Sequence, residues 1–203
     1  MDNPPAASSA LSAVSTASAY CDAILARHQC QERSNDCGPF CAAMVINALT
    51  PYRVDPVALG RAMARPRWGA VLGVLPVIRR VPGSATFPWG MVDVLRAHGL
   101  NARWRALGTR EDIKRDLARG HVFIPIVGAY RPRPWAHYMV LLAHDPVHGW
   151  GFADPESRHG RLSWRADAKF ARQWGAYGRI VIEVRPTEPW PDRVWPSDAP
   201  PPA

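Results

Sequence analysis

Gln31 stands six residues before Cys37, and Cys37 is followed by a run that reads as a buried helix. Gly38 and Pro39 follow it, and proline suits the first helical turn because its missing N–H would be unpaired there anyway. Phe40 to Leu49 reads FCAAMVINAL, apolar except for Asn47. A helix apolar nearly all round belongs inside the protein. Cys37 is then at or near the N-cap, where the positive end of the helix dipole favours thiolate over thiol. Gln31 can turn its side-chain amide back toward the same point. Together with the Cys37 N–H it would form a two-donor oxyanion hole.

A thiolate at a helix start needs a base from elsewhere in the chain. His137 is the best candidate, in Trp135-Ala136-His137-Tyr138-Met139-Val140-Leu141-Leu142, which reads as one strand. A turn at Asp145-Pro146-Val147-His148-Gly149 leads to Trp150-Gly151-Phe152-Ala153-Asp154-Pro155. Two apolar runs around such a turn predict a hairpin. Antiparallel pairing then returns Asp154 to the neighbourhood of His137. An Asp on one imidazole nitrogen would fix the tautomer and leave the other nitrogen for Cys37.

Gln-x5-Cys within NDCGPFC, the later WAHYMVL, and ADP after a hairpin resemble the papain-like cysteine peptidases of the double-glycine-leader (bacteriocin-processing) family, in its stand-alone, single-domain form. FPWGMVDVLRAHGL between them is also similar, so that the resemblance covers about residues 27–185. It implies Cys37 as nucleophile, His137 as base, Asp154 as its orienting partner and Gln31 as oxyanion residue. It implies a peptide or protein substrate and no cofactor or metal. Unlike the transporter-linked members, the sequence shows no membrane span and no nucleotide-binding motif, so processing coupled to export is not expected.

The rest of the chain supports one α+β domain at residues 21–185, with helices first and an antiparallel sheet last. Helices are predicted at Ala23–Arg27, Gly38–Leu49, Asp55–Ala64, Trp89–His98, Thr109–Arg119 and Arg165–Trp174. Asp55-Pro56 and Thr109 are start signals. Asn101–Leu107 alternates Ala102, Trp104 and Ala106 against Arg103 and Arg105, the pattern of a half-buried strand. Strands are also expected at His121–Ala129 and Gly178–Val184. Residues 65–84 read as a loop over the cleft. Residues 1–20 are Ala/Ser-rich and read as a disordered tail, or alternatively as a non-Sec export signal of the kind carried by secreted bacterial effectors. Residues 186–203 hold seven prolines and read as a tail.

Net charge is +8, and Lys114 and Lys169 are the only lysines. Arginine suits acidic partners, yet basic residues form no run longer than a pair such as Arg79-Arg80. Nucleic-acid binding is therefore not expected. No apolar run approaches the length of a membrane span, and the N-terminus lacks the basic and apolar regions of a Sec signal. A cytoplasmic location, or export by a non-Sec route, follows. Cys21, Cys30, Cys37 and Cys41 crowd one end at spacings that suit neither a disulfide framework nor zinc. Cys41 reads as a packing residue. His98 lies near a helix C-terminus, where a histidine is a favourable dipole partner, and His28, His121 and His159 carry no companion motif. Trp150 reads as core, while Trp89, Trp135 and the lip Arg131-Pro132-Arg133-Pro134 could border a cleft. The same thiol chemistry also serves a deamidase or a transglutaminase-like enzyme. A non-enzymatic binding module is the third reading, and the presence of Cys37, His137 and Gln31 argues against it. The oligomeric state is not encoded in any motif.

Overall fold

The computed structural model describes residues 15–71 and 75–185. The expected tails at 1–14 and 186–203 lie outside the described residues. The chain begins with β1 (Thr16–Ala17), α1 (Cys21–Leu25), α2 (Cys37–Leu49) and α3 (Pro56–Ala64). Two small hairpins follow, β2 (Arg67–Val71) with β3 (Leu75–Val77), and β4 (Arg80–Val81) with β5 (Ala85–Thr86). Then come α4 (Pro88–Ala97), β6 (Asn101–Arg105) and α5 (Arg110–Leu117). The sheet half contains β7 (Val122–Ala129), β8 (Trp135–Tyr138), β9 (Val140–Asp145), β10 (Gly149–Ala153) and β11 (Ser163–Arg165), closed by α6 (Asp167–Ala176) and β12 (Val181–Arg185). This is an α+β architecture.

The main sheet runs β11-β10-β9-β7-β12-β6, antiparallel throughout, with β1 beside β9 and β8 beside β7. Both faces are covered, and strand alternation sorts the side chains between them. On β12, Ile182 and Val184 join the core that includes α2 and α4, while Val181 joins the core that includes Phe170 and Trp174 of α6. Glu183 points to the latter face and is fully buried, a costly position for a carboxylate unless it is paired. Arg103 at 2.8 Å, Arg185 at 2.7 Å and His121 at 3.0 Å supply the partners. Burial pushes the Glu183 carboxyl up, and the two arginines outweigh it and hold it below its usual range.

α2 is buried on every side, from Cys37 through Asn47 and again at Leu49, as its uniformly apolar sequence requires. Asp55 and Thr109 cap their helices by accepting from Ala58 N at 2.7 Å and Asp112 N at 3.1 Å.

Four sequence expectations are corrected. Residues 65–84 are not simply a loop but carry β2 to β4, strands too short and too interrupted by proline and glycine to show a period. Thr16 and Ala17, inside the expected disordered tail, pair with His144 and Ala143 of β9. The strand expected from Trp135 to Leu142 is broken at Met139, because β8 pairs with β7 around Val127 and β9 pairs with it at Phe123. Trp104 is 43% exposed although its alternation partner Ala102 is buried. β6 is an edge strand, and Trp104 borders an open pocket beside α4 with Trp89 and Arg96.

Candidate active site

Cys37 is the first residue of α2 and is 9% exposed. Asp36 occupies the N-cap, but its carboxylate makes no capping bond. It pairs instead with the buried guanidinium of Arg80 on β4. Gly38 is required by close approach, since a Cβ there would lie 2.7 Å from Thr86 Cβ on β5. Thr86 also accepts the Tyr138 hydroxyl on its carbonyl at 3.0 Å. The β4–β5 hairpin, the start of α2 and the end of β8 are thereby fixed to one another. Asn35 extends the link by donating to the Gly83 and Ser84 carbonyls, each at 3.2 Å.

His137 lies on β8, 3% exposed. Its Nε2–H donates to Asp154 Oδ1 at 2.8 Å. That leaves Nδ1 uncommitted to Asp154, and Cys37 lies close enough to act on the imidazole's basicity. Burial alone would lower the imidazole pKa. The hydrogen bonds and negative charge supplied by Asp154 and Cys37 win, and the group is raised to about 9. Burial pushes the Asp154 carboxyl up, but His137, the Glu156 N–H at 3.0 Å and Arg165 at 3.6 Å hold it below its usual value. The hairpin register explains the meeting, because Ala153 pairs with Val140 and so sets Asp154 beside the start of β9.

Gln31 is buried in the loop between α1 and α2. Its amide donates to the Ser34 carbonyl at 3.1 Å, which leaves a second amide hydrogen free, and Oε1 is buried without a protein partner. Its backbone N–H donates to the Pro155 carbonyl at 2.7 Å. His28 Nε2–H donates to the Asp154 carbonyl at 2.9 Å, and Cys30 Sγ lies 4.0 Å from the Glu156 carbonyl. Residues 28–31 therefore clip three successive carbonyls of the loop that carries Asp154.

His28, Thr86, Arg80 and Glu156 are the parts sequence reasoning missed. No local pattern marks a contact between residues so far apart in the chain. Trp135 and Trp89 are 40% and 42% exposed, and the lip at 131–134 is exposed as well, whereas Trp150 is core. Cys41 is fully buried one turn along α2, and burial pushes its thiol well up, so it stays protonated. His98 donates to Val94 O on its own helix, and His121 belongs to the Glu183 cluster. Among the described residues two side-chain groups have cation-binding spacing, Asp116–His121–Glu183 and His137–Asp154–Glu156. The first is already charge-compensated by arginines, and in the second the His137–Asp154 hydrogen bond already engages both side chains.

No family model and no curated protein matches the chain. Solved structures do match. A Bacillus anthracis protein described as a C39-like peptidase is 12% identical with a TM-score of 0.58, over 78% of this chain and 93% of that one. A double-glycine-motif protease from an AMS/PCAT transporter, solved with a leader peptide, is 16% identical with a TM-score of 0.52, over 79% and 91%. The chain has the C39-like, papain-type peptidase fold.

Proposed function

We propose that this chain is a thiol-dependent peptidase, with one catalytic domain that takes in β1 as well as the expected residues 21–185. The observation that carries the reading is the buried hydrogen bond from His137 Nε2 to Asp154 Oδ1, with Asp154 and Cys37 raising the imidazole pKa to about 9. In this reading the Cys37 thiolate attacks the scissile carbonyl. The oxyanion takes hydrogen bonds from the Cys37 N–H and the free Gln31 amide hydrogen. Imidazolium at His137 gives its Nδ1 proton to the leaving nitrogen as the C–N bond breaks, which leaves a thioester on Cys37. Neutral His137 then takes a proton from water, the hydroxide adds, and the thiolate leaves, releasing the acid. Asp154 holds the ring and its charge throughout.

A peptide cleaved after paired glycines is the proposed substrate, by analogy with the double-glycine-motif protease and its bound leader peptide. That analogy favours peptide cleavage over the deamidase and acyl-transfer chemistries, which would share the same thioester. No helix among the described residues is long and apolar enough to cross a membrane.

The test is hydrolysis of Gly-Gly-containing fluorogenic peptides by the wild type, Cys37→Ala, His137→Ala and the double variant. Each single variant loses activity, and the double is no worse than either, because the two side chains act as a unit. Losses that add in the double variant contradict the pairing.

A further inference from the structure

The His137 nitrogen not engaged by Asp154 has a carboxylate neighbour. Glu156 Oε1 lies 3.7 Å from His137 Nδ1. Two carboxylates thus flank one imidazole in different settings. The Asp154 side chain is 12% exposed and the Glu156 side chain 62%. The first belongs to the interior of the site, the second to its mouth. The Glu156 backbone is fixed by its N–H bond to Asp154 Oδ1 at 3.0 Å and, one residue earlier, by the bond from Gln31 N to the Pro155 carbonyl. Among the described residues no arginine or lysine lies within ion-pair distance of Glu156.

We infer that Glu156 is a specificity-determining residue, selecting peptides with a basic side chain immediately after the cleaved bond. The inference rests on the peptidase reading. In that reaction His137 Nδ1 must approach the leaving nitrogen to hydrogen-bond distance, about 3 Å. A carboxylate 3.7 Å from the same Nδ1 is then within reach of the first side chain on the leaving fragment. Lysine or arginine there completes an ion pair with Glu156. Aspartate or glutamate there meets a like charge, which discriminates as strongly as the attraction does. Steadying the imidazolium is a poorer account of Glu156. Asp154 already does so from the buried side at 2.8 Å, and an exposed charge farther off adds little. A steadying role would also act on every substrate alike.

Three fluorogenic peptides separate the two roles. They share Gly-Gly before the cleaved bond and carry Lys, Ala or Glu after it. Wild type, Glu156→Gln and Glu156→Lys are compared by kcat/KM, with the Lys-to-Glu ratio read within each variant so that a general loss of activity cancels. The wild type favours Lys over Ala and Ala over Glu, about fivefold at each step, the upper range of an exposed ion pair. The ratio collapses toward one in Glu156→Gln and inverts in Glu156→Lys. Equal rates in the wild type, or a Lys preference that persists in Glu156→Gln, overturn the inference and leave the peptidase reading standing. If no peptide is cleaved, the peptidase reading fails. The same peptides are then compared as protectants of Cys37 against iodoacetamide. Protection graded by charge and lost in Glu156→Gln supports the recognition role, and equal protection overturns it.

Discussion

The backbone N–H of Gln31 donates to the carbonyl of Pro155 at 2.7 Å, which joins the loop before Cys37 to the loop that holds Asp154. The bond from His28 to the Asp154 carbonyl lies next to it. Relative placement of the candidate nucleophile and acid therefore depends on backbone bonds between two distant loops, and not only on the helix and strand that bear the reacting groups.

Raised basicity at His137 gives a pH dependence with a definite sign. The imidazole moves from 6.5 to about 9, because Asp154 and Cys37 outweigh burial. A group raised on folding stabilises the native state fully below its unfolded value and loses that contribution as pH climbs through its folded value. Stability should fall between about pH 6.5 and 9, and kcat/KM should fall as pH passes about 9. In Asp154→Asn the alkaline limb of the activity profile should move to lower pH, since a raising influence is gone. An alkaline limb at the same pH in both proteins would show that His137 does not set it.

Asp154 and Asp145 both precede proline and flank the same hairpin, yet they should respond differently to amidation. Asp145 sits at the turn end of β9, where Ser15 and the N–H groups of His148 and Val147 hold its carboxyl below the usual range. Five strand steps of about 3.3 Å separate it from Val140, far beyond hydrogen-bond reach of the His137 end. Asp154→Asn should lose most activity with the fold retained, while Asp145→Asn should lose little. Asn still accepts a hydrogen bond, so the comparison between the two variants is the decisive quantity. Greater damage from Asp145→Asn in the same peptide assay would contradict the assignment.

Gln31→Ala should slow turnover by about 10²–10³-fold, the usual cost of one oxyanion donor. The loop should survive, because its bonds from Gln31 N to Pro155 and from Ser34 N and Oγ to the Gln31 carbonyl are unaffected by the side chain. Alkylation of Cys37 should therefore proceed at the wild-type rate. Normal turnover in this variant would remove Gln31 from the site.

Much of the fold was legible because the governing patterns are local. α2 announced itself through a uniformly apolar run, α3 and α5 through Asp55 and Thr109, and the order of helices before strands through periodicity. Turn chemistry placed Asp154 near His137, and the register between Ala153 and Val140 brings them to 2.8 Å. What stayed hidden depends on partners far away in sequence. The pairing of Thr16 with His144 and the clip of His28 on Asp154 leave no trace in their own neighbourhoods. Trp104 misled because alternation reports which side of a strand a residue occupies, not whether anything covers that side at a sheet edge. Glu156 was overlooked because its position at the mouth of the site follows from the loop conformation after Asp154, not from a motif.

The central claim is that Cys37 and His137 form the reactive pair. Limited alkylation with iodoacetamide, located by mass spectrometry, tests it most directly. Cys37 should be modified well ahead of Cys21, Cys30 and Cys41, and His137→Ala should abolish that lead while leaving the other cysteines unchanged. First labelling at Cys30 or Cys41, or a Cys37 rate indifferent to His137→Ala, would contradict the account.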